Sequence, residues 1–409
     1  MGVVRRLRPP VPGRGTVGRV VTNPLTQSPS PGPGHPPAWY ARPAARAWRC
    51  APAPPGVRRF HAGLPAYSPT PLTELPALAD EFGVGRVFVK DESERLGLPA
   101  FKALGVSWAV HRIMEERADD GTPLRFVTAT DGNHGRALAR VAWLLGRSAH
   151  VFVPDGVHPA AVAAIEAEGA EVTRVAGPYD EAVRRAAAAV DATASDAGTR
   201  TGDADAPTAV LVQDSAWPGY ERVPAWIVEG YSTLFAEVDD QLRAAGAAPP
   251  GLVAVPVGVG SLAQAAVTHH RDRTRTAGPA ASLLAVEPEG AACVLASLTA
   301  GRPTVVDTGS TVMAGLNCGT PSSTAWPVLR DGLDAAVAVT DAESVRAARQ
   351  LAALGVSSGP CGAASLAGVR AALGAGRDGG GERRAALGLD RDATVVLLST
   401  EGSEANPAT

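Results

Sequence analysis

Phe101-Lys102-Ala103-Leu104-Gly105 is the stretch that decides how the rest of this chain is read. Among 409 residues only Lys90 and Lys102 are lysines; every other permanently cationic side chain is Arg. A chain that uses Arg wherever positive charge suffices keeps a lysine for its amine. A guanidinium stays protonated and forms no imine, whereas a desolvated lysine can lose a proton and attack a carbonyl. Lys102 also stands where a helix begins, so capping that helix is the plainer role for it.

Working outward, short β-branched runs alternate with helical patterns. Strands are expected at Arg86–Lys90, Leu124–Thr130, His150–Val153, Glu171–Ala176, Ala209–Gln213, Leu252–Val257, Leu283–Val286, Ala335–Val339 and Val395–Leu398. Helices are expected at Lys102–Arg117, Asn133–Leu145, His158–Glu168 and Tyr179–Val190, with a long one over Arg222–Leu242. This alternation predicts an α/β protein with parallel sheets of the βαβ kind. Asp191–Pro207 and Gly374–Arg384 are low in complexity and read as surface loops. Residues 1–60 hold ten Arg and no Asp or Glu, with many Pro and Gly, and read as a disordered Arg/Pro-rich extension.

Composition excludes several classes. A net charge of −3 offers no footprint for nucleic acid or an anionic surface. No apolar run approaches the roughly 20 residues of a membrane span. Cys50, Cys293, Cys318 and Cys361 are scattered, without zinc-type spacing, and read as small hydrophobes in a reducing compartment. No metal site is expected.

Three glycine-rich turns follow strands, at the strand ends where α/β sheets place ligands. They are Thr130-Asp131-Gly132-Asn133-His134-Gly135, Pro256-Val257-Gly258-Val259-Gly260-Ser261-Leu262-Ala263, and Ser399-Thr400-Glu401-Gly402. The second opens a helix, whose free N–H groups can hold a phosphate. It also matches a dinucleotide fingerprint, with Glu287 as a ribose-binding acid, which would make the protein an NAD(P)-dependent oxidoreductase. That alternative explains neither Lys102 nor the Asn133 turn.

Taken together, the lysine, the Asn-bearing turn, the phosphate turn and the terminal Ser/Thr-Gly turn resemble the tryptophan-synthase-β-like (fold type II) family of pyridoxal-phosphate enzymes. The resemblance runs from about Arg59 to Gly402. It implies that Lys102 bonds the cofactor aldehyde, that Asn133 contacts the phenolic oxygen, and that Gly258, Val259, Gly260, Ser261 and Leu262 hold the phosphate. Ser399, with Thr400 as second choice, would face the pyridine nitrogen and leave it largely neutral. Tyr67-Ser68-Pro69-Thr70-Pro71-Leu72, Lys90-Asp91-Glu92-Ser93, Gln213-Asp214-Ser215-Ala216-Trp217-Pro218-Gly219-Tyr220-Glu221 and Thr311 to Gly319 look like the diaminopropionate ammonia-lyases of that family. So does Asp131, where most of the wider family carries Ser.

This resemblance implies two doubly wound domains, the smaller (106–213) inserted in the larger cofactor-binding one (61–105 and 214–409). It implies α,β-elimination of D- or L-2,3-diaminopropionate to pyruvate and ammonia, with Asp131 and Asp214 as bases on opposite sides. A homodimer in the cytoplasm is implied too. Asp131 could instead hold an Asx-turn and Asp214 cap a helix. His134 reads as a first-turn residue, His269 and His270 as part of a surface helix, and Trp217, Tyr220, Trp226 and Tyr231 as packing residues. The rival within the fold is a serine or threonine dehydratase, which has no evident need for two carboxylates. A relative that joins aminoacrylate to another nucleophile is a third possibility.

Overall fold

The computed structural model describes residues 39–117, 123–197, 207–275, 280–374 and 380–405. Its strands are β1 Trp39–Ala41, β2 Leu72–Glu74, β3 Arg86–Asp91, β4 Leu124–Ala129, β5 Ser148–Pro154, β6 Glu171–Val175, β7 Thr208–Leu211, β8 Leu252–Pro256, β9 Ser282–Pro288, β10 Ala335–Val339 and β11 Thr394–Ser399. They form a seven-stranded sheet in the order β1-β10-β9-β8-β11-β3-β2 and a four-stranded sheet in the order β6-β5-β4-β7.

The four-stranded sheet is wholly parallel. The larger one is parallel through its centre, with β1 and β2 added antiparallel at its edges. Each edge strand has only three residues, too short to leave an attractive open edge. Every residue of β8 to β11 is buried, as near-continuous apolar runs should be when helices cover both faces.

One face is covered by the helix Pro360–Leu373, which packs across β8 to β11. Its small residues let it lie close: a Cβ added at Gly368 would collide with the Val286 side chain. The helix Lys102–Glu116 packs on the helix Arg222–Gly230. At their crossing a Cβ on Gly230 would come within 2.5 Å of the Leu104 carbonyl oxygen.

Four sequence expectations need correction. The single helix expected over Arg222–Leu242 is two helices, Arg222–Gly230 and Ser232–Ala244. The chain bends at Tyr231, which turns fully inward with its ring 4.8 Å from that of Phe101. Residues 191–197, expected in a loop, extend the helix Tyr179–Ala197, and Gly380–Leu387 is helical; their alanines favour the helix in both. The remainder of those two stretches lies outside the described residues.

Residues 39–60, expected in the extension, are built into the fold. Tyr40 pairs with Ala336 on β10, and Arg42 Nη2 donates to the Asp331 carbonyl at 2.6 Å. Arg46 reaches Asp334 at 3.0 Å, and Val57–Ala62 forms a helix. The Asp331 carbonyl and the Asp334 carboxylate that partner these arginines lie almost 300 positions away, which is why local composition reads as disorder. Residues 1–38 of the expected extension lie outside the described residues.

Candidate active site

The carboxyl ends of β4, β8 and β11 open onto one cavity of about 790 Å³, its mouth included. Lys102, Asp131, Asn133, Asp214, the Gly258–Leu262 turn and Thr400 all line it. Segments separated by up to three hundred positions therefore meet where parallel-sheet geometry predicts a ligand.

Lys102 is the first residue of its helix and makes no capping bond through its side chain. Its Nζ donates to Asp214 Oδ2 at 2.5 Å and lies 5.4 Å from the Phe101 ring centre. Burial works against its charge, but Asp214 outweighs burial and raises the lysine above its ordinary value. The ammonium must give up a proton before it can bond an aldehyde, and Asp214 Oδ2 is the acceptor already in place.

The other lysine plays no such part. Lys90 is fully buried and donates to Thr70 O (2.7 Å), Glu237 Oε2 (2.7 Å) and Gln241 Oε1 (2.9 Å). Arg95 and Glu92 complete a balanced buried network around Glu237.

The two aspartates have opposite proton affinities. Burial opposes ionisation of Asp214 as well, yet the Lys102 ammonium beside it overcomes burial and holds its carboxyl well below the usual carboxylate range. Tyr179 helps, its hydroxyl donating to Asp214 Oδ1 at 3.4 Å while accepting from Gln213 Nε2 at 2.6 Å. Ser261 Oγ donates to the Asp214 backbone carbonyl at 2.8 Å, tying this loop to the phosphate turn. Asp214 is not a helix cap. Asp131, on the opposite turn, is pushed up to about 8, chiefly by burial and next by the Asp214 charge. No side-chain hydrogen bond or ion pair of Asp131 occurs among the described residues; the turn is instead tied by Thr130 Oγ1, which accepts from the Gly132 and Gly135 amides.

The Gly258–Leu262 turn has the form a phosphate requires. Gly260 has φ of +102°, and a Cβ there would sit 2.7 Å from Leu329 Cδ1. A Cβ at Gly258 would come within 3.0 Å of Cys318 Sγ. The helix Ser261–His270 starts directly after, so its first-turn N–H groups lack intrahelical acceptors and face the cavity's end. These residues, with Lys102 and Asn133, fit pyridoxal phosphate.

At the far end the strand alternation separates the two hydroxyls. Ser399 is fully buried outside the cavity, its Oγ donating to Ser358 Oγ at 2.8 Å, and Thr400 is the one that lines it. Asn133 Nδ2 donates to Glu401 Oε2 at 2.6 Å, and Glu401 Oε1 accepts from the Cys361 amide.

Glu401, Tyr179 and His134 line the cavity and were not picked out as site residues by sequence. Glu401 stands inside the terminal turn, and Tyr179 follows a Gly-Pro after β6, so position past a strand end was the available signal. Glu287 is accounted for elsewhere. It is fully buried, accepts from the Val294 and Leu295 amides at 2.8 and 2.7 Å, and caps the helix Cys293–Ala300. Glu287 is therefore engaged at a helix start and is not available to a ribose, so the dinucleotide reading loses its acid.

Residues 64–399 match the family described as pyridoxal-phosphate dependent enzymes. A diaminopropionate ammonia-lyase from Salmonella typhimurium is 34% identical over 382 residues, covering 85% of this chain and 88% of that one. The crystal structure of the Escherichia coli diaminopropionate ammonia-lyase, in complex with an aminoacrylate-PLP azomethine reaction intermediate, matches with a TM-score of 0.74 at 32% identity, over 85% of this chain and 88% of that one. The crystal structure of a T.th. threonine deaminase matches with a TM-score of 0.64 at 25% identity, over 85% and 96% of the two chains.

Proposed function

Because the chain belongs to the pyridoxal-phosphate dependent enzymes, we propose that it eliminates the β-amino group of 2,3-diaminopropionate, D or L or both, giving pyruvate and ammonia. It is a carbon–nitrogen lyase. The observation that carries the reading is the pair of carboxylates, Asp131 and Asp214, sharing one cavity with Lys102.

Lys102 would hold the cofactor covalently, the amides of Gly258 to Leu262 would take its phosphate, and Asn133 and Thr400 would contact its ring, with Ser399 behind Thr400. The bound cofactor supplies the electron sink that acidifies the Cα–H bond. The protein's share is orientation and proton handling. Asp214, kept ionised, is ready to take a Cα proton; Asp131, raised to about 8, holds a proton more readily. Asp131 becomes a base for the opposite face once it has lost that proton, so the two enantiomers meet bases of different proton affinity. Together they also attract a substrate with a second ammonium, because opposite charges interact strongly in a site that excludes water.

The same reading takes 61–105 and 214–409 as the large domain and 106–213 as the small one, supported by the two separate sheets. It makes the enzyme a cytoplasmic homodimer; the absence of a disulfide between Cys50, Cys293, Cys318 and Cys361 among the described residues suits a reducing compartment. Among the described residues no helix is long and apolar enough to cross a membrane.

The test is to give holoenzyme D- and L-diaminopropionate, serine and threonine separately and to measure pyruvate, 2-oxobutyrate and ammonia. Pyruvate with two equivalents of ammonia from diaminopropionate supports the proposal. Turnover of serine or threonine alone would reassign the enzyme as a dehydratase.

A further inference from the structure

His134 carries an unusual combination. Its side chain is only 4% exposed, it lines the cavity, and its Nε2 lies 2.8 Å from the Val212 carbonyl oxygen. A carbonyl can only accept, so Nε2 bears the hydrogen and the neutral ring presents a lone pair at Nδ1. That Nδ1 is buried without a hydrogen-bond partner among the described residues, 3.9 Å from Asp214 Oδ2. A buried polar atom left unpaired has a cost and calls for an explanation.

While Asp214 is ionised, two acceptors face each other, and Lys102 supplies the hydrogen bond that Asp214 needs. Once a proton sits on Oδ2 the situation reverses. The O–H becomes a donor and Nδ1 is the buried acceptor beside it. Among the described residues Asp131 has no such neighbour: the histidine contact there is to Asp214.

Resting on the diaminopropionate reading, we propose that His134 is a positioning residue for the proton that Asp214 removes. The Cα–H bond breaks and its proton bonds to Asp214 Oδ2. The electron pair forms the Cα–Cβ double bond as the Cβ–N bond breaks and ammonia leaves. Closing the 3.9 Å gap lets the new Oδ2–H donate to His134 Nδ1, which lowers the energy of the state with the proton removed. The effect is confined to the enantiomer whose Cα–H faces Asp214.

The experiment measures kcat for D- and L-diaminopropionate with holoenzyme, His134→Gln, His134→Asn and Asp214→Asn. Glutamine can still donate to the Val212 carbonyl but puts nothing at the Nδ1 position; asparagine keeps a polar atom there. The expected result is that His134→Gln shifts the D/L ratio of kcat about tenfold, in the direction Asp214→Asn shifts it, as loss of one hydrogen bond in the rate-determining proton transfer requires. The Cα-deuterium isotope effect grows for that enantiomer, and His134→Asn returns the ratio to within about threefold of the parent. Equal losses on both enantiomers, or an unmoved ratio, would overturn the inference. If His134→Gln loses its cofactor absorbance or fails to fold, His134→Leu, which also puts no acceptor at the Nδ1 position, takes its place: a ratio shifted in the direction of Asp214→Asn supports the role, and an unmoved ratio removes it. A parent enzyme inactive on both enantiomers sinks the substrate reading; an active parent with an unmoved ratio sinks only this inference.

Discussion

Lys102 Nζ and Asp214 Oδ2 stand 2.5 Å apart although 112 positions separate the two residues. The contact joins the start of one helix to the loop after β7, and each partner sets the other's protonation. Replacing Lys102 by Met therefore has two consequences. Borohydride no longer fixes the cofactor to the chain, and Asp214 loses its cation, at about 2–3 kcal/mol of stability in the cofactor-free protein. Both are read from peptide mapping and denaturant titration. Borohydride label found on another residue would contradict the assignment.

Lys90 should behave in the opposite way. Lys90→Met leaves the Glu237 carboxylate in a fully buried site with one of its cations gone, and the loss is about 3–5 kcal/mol. The protein that folds still takes up cofactor at Lys102, so a urea midpoint drops while the absorbance of the bound cofactor stays. Lost cofactor absorbance at full folding would disagree.

Asp131 ties stability to pH. Its carboxyl titrates at about 8 in the fold against about 3.9 in an unfolded chain, so the fold binds the extra proton. The stability it contributes is complete below about pH 4 and fades as pH rises through about 8. Asp131→Asn should flatten that fall in the cofactor-free protein, with the two melting curves converging near about pH 4. Activity runs the other way: for the enantiomer served by Asp131 as base, kcat rises through about pH 8. Parallel stability curves for parent and variant would count against the assignment.

Gly260 tests the phosphate turn. At φ +102° and with Leu329 Cδ1 2.7 Å from the position of a Cβ, Gly260→Ala carries backbone strain of about 1–3 kcal/mol and distorts the first turn of its helix. Pyridoxal-phosphate affinity, followed by equilibrium titration, should fall about tenfold or more while affinity for unphosphorylated pyridoxal changes less. Equal losses for the two ligands would place the phosphate elsewhere.

Much of this architecture is legible in the chain. The central strands announce themselves as short β-branched runs because burial on both faces tolerates nothing else, and Arg86–Asp91, Ala335–Val339 and Thr394–Ser399 fall where those runs do. The edge strands Trp39–Ala41 and Leu72–Glu74 carry no such signal: three residues with one covered side impose little pattern. The bend at Tyr231 is equally silent, since it answers to Phe101 and Gly105 across a helix crossing rather than to its own neighbours.

The sequence alone singled out Lys102 and the turns that share its cavity, because scarcity of lysine and glycine after a strand are local properties. It could not show that Thr400 lines the cavity while Ser399 turns to Ser358, give His134 its face toward Asp214, or set the two aspartates apart. Those outcomes depend on burial and on distances between distant segments. Electrostatic interaction follows separation in space, and separation in space is what folding, not chain position, supplies.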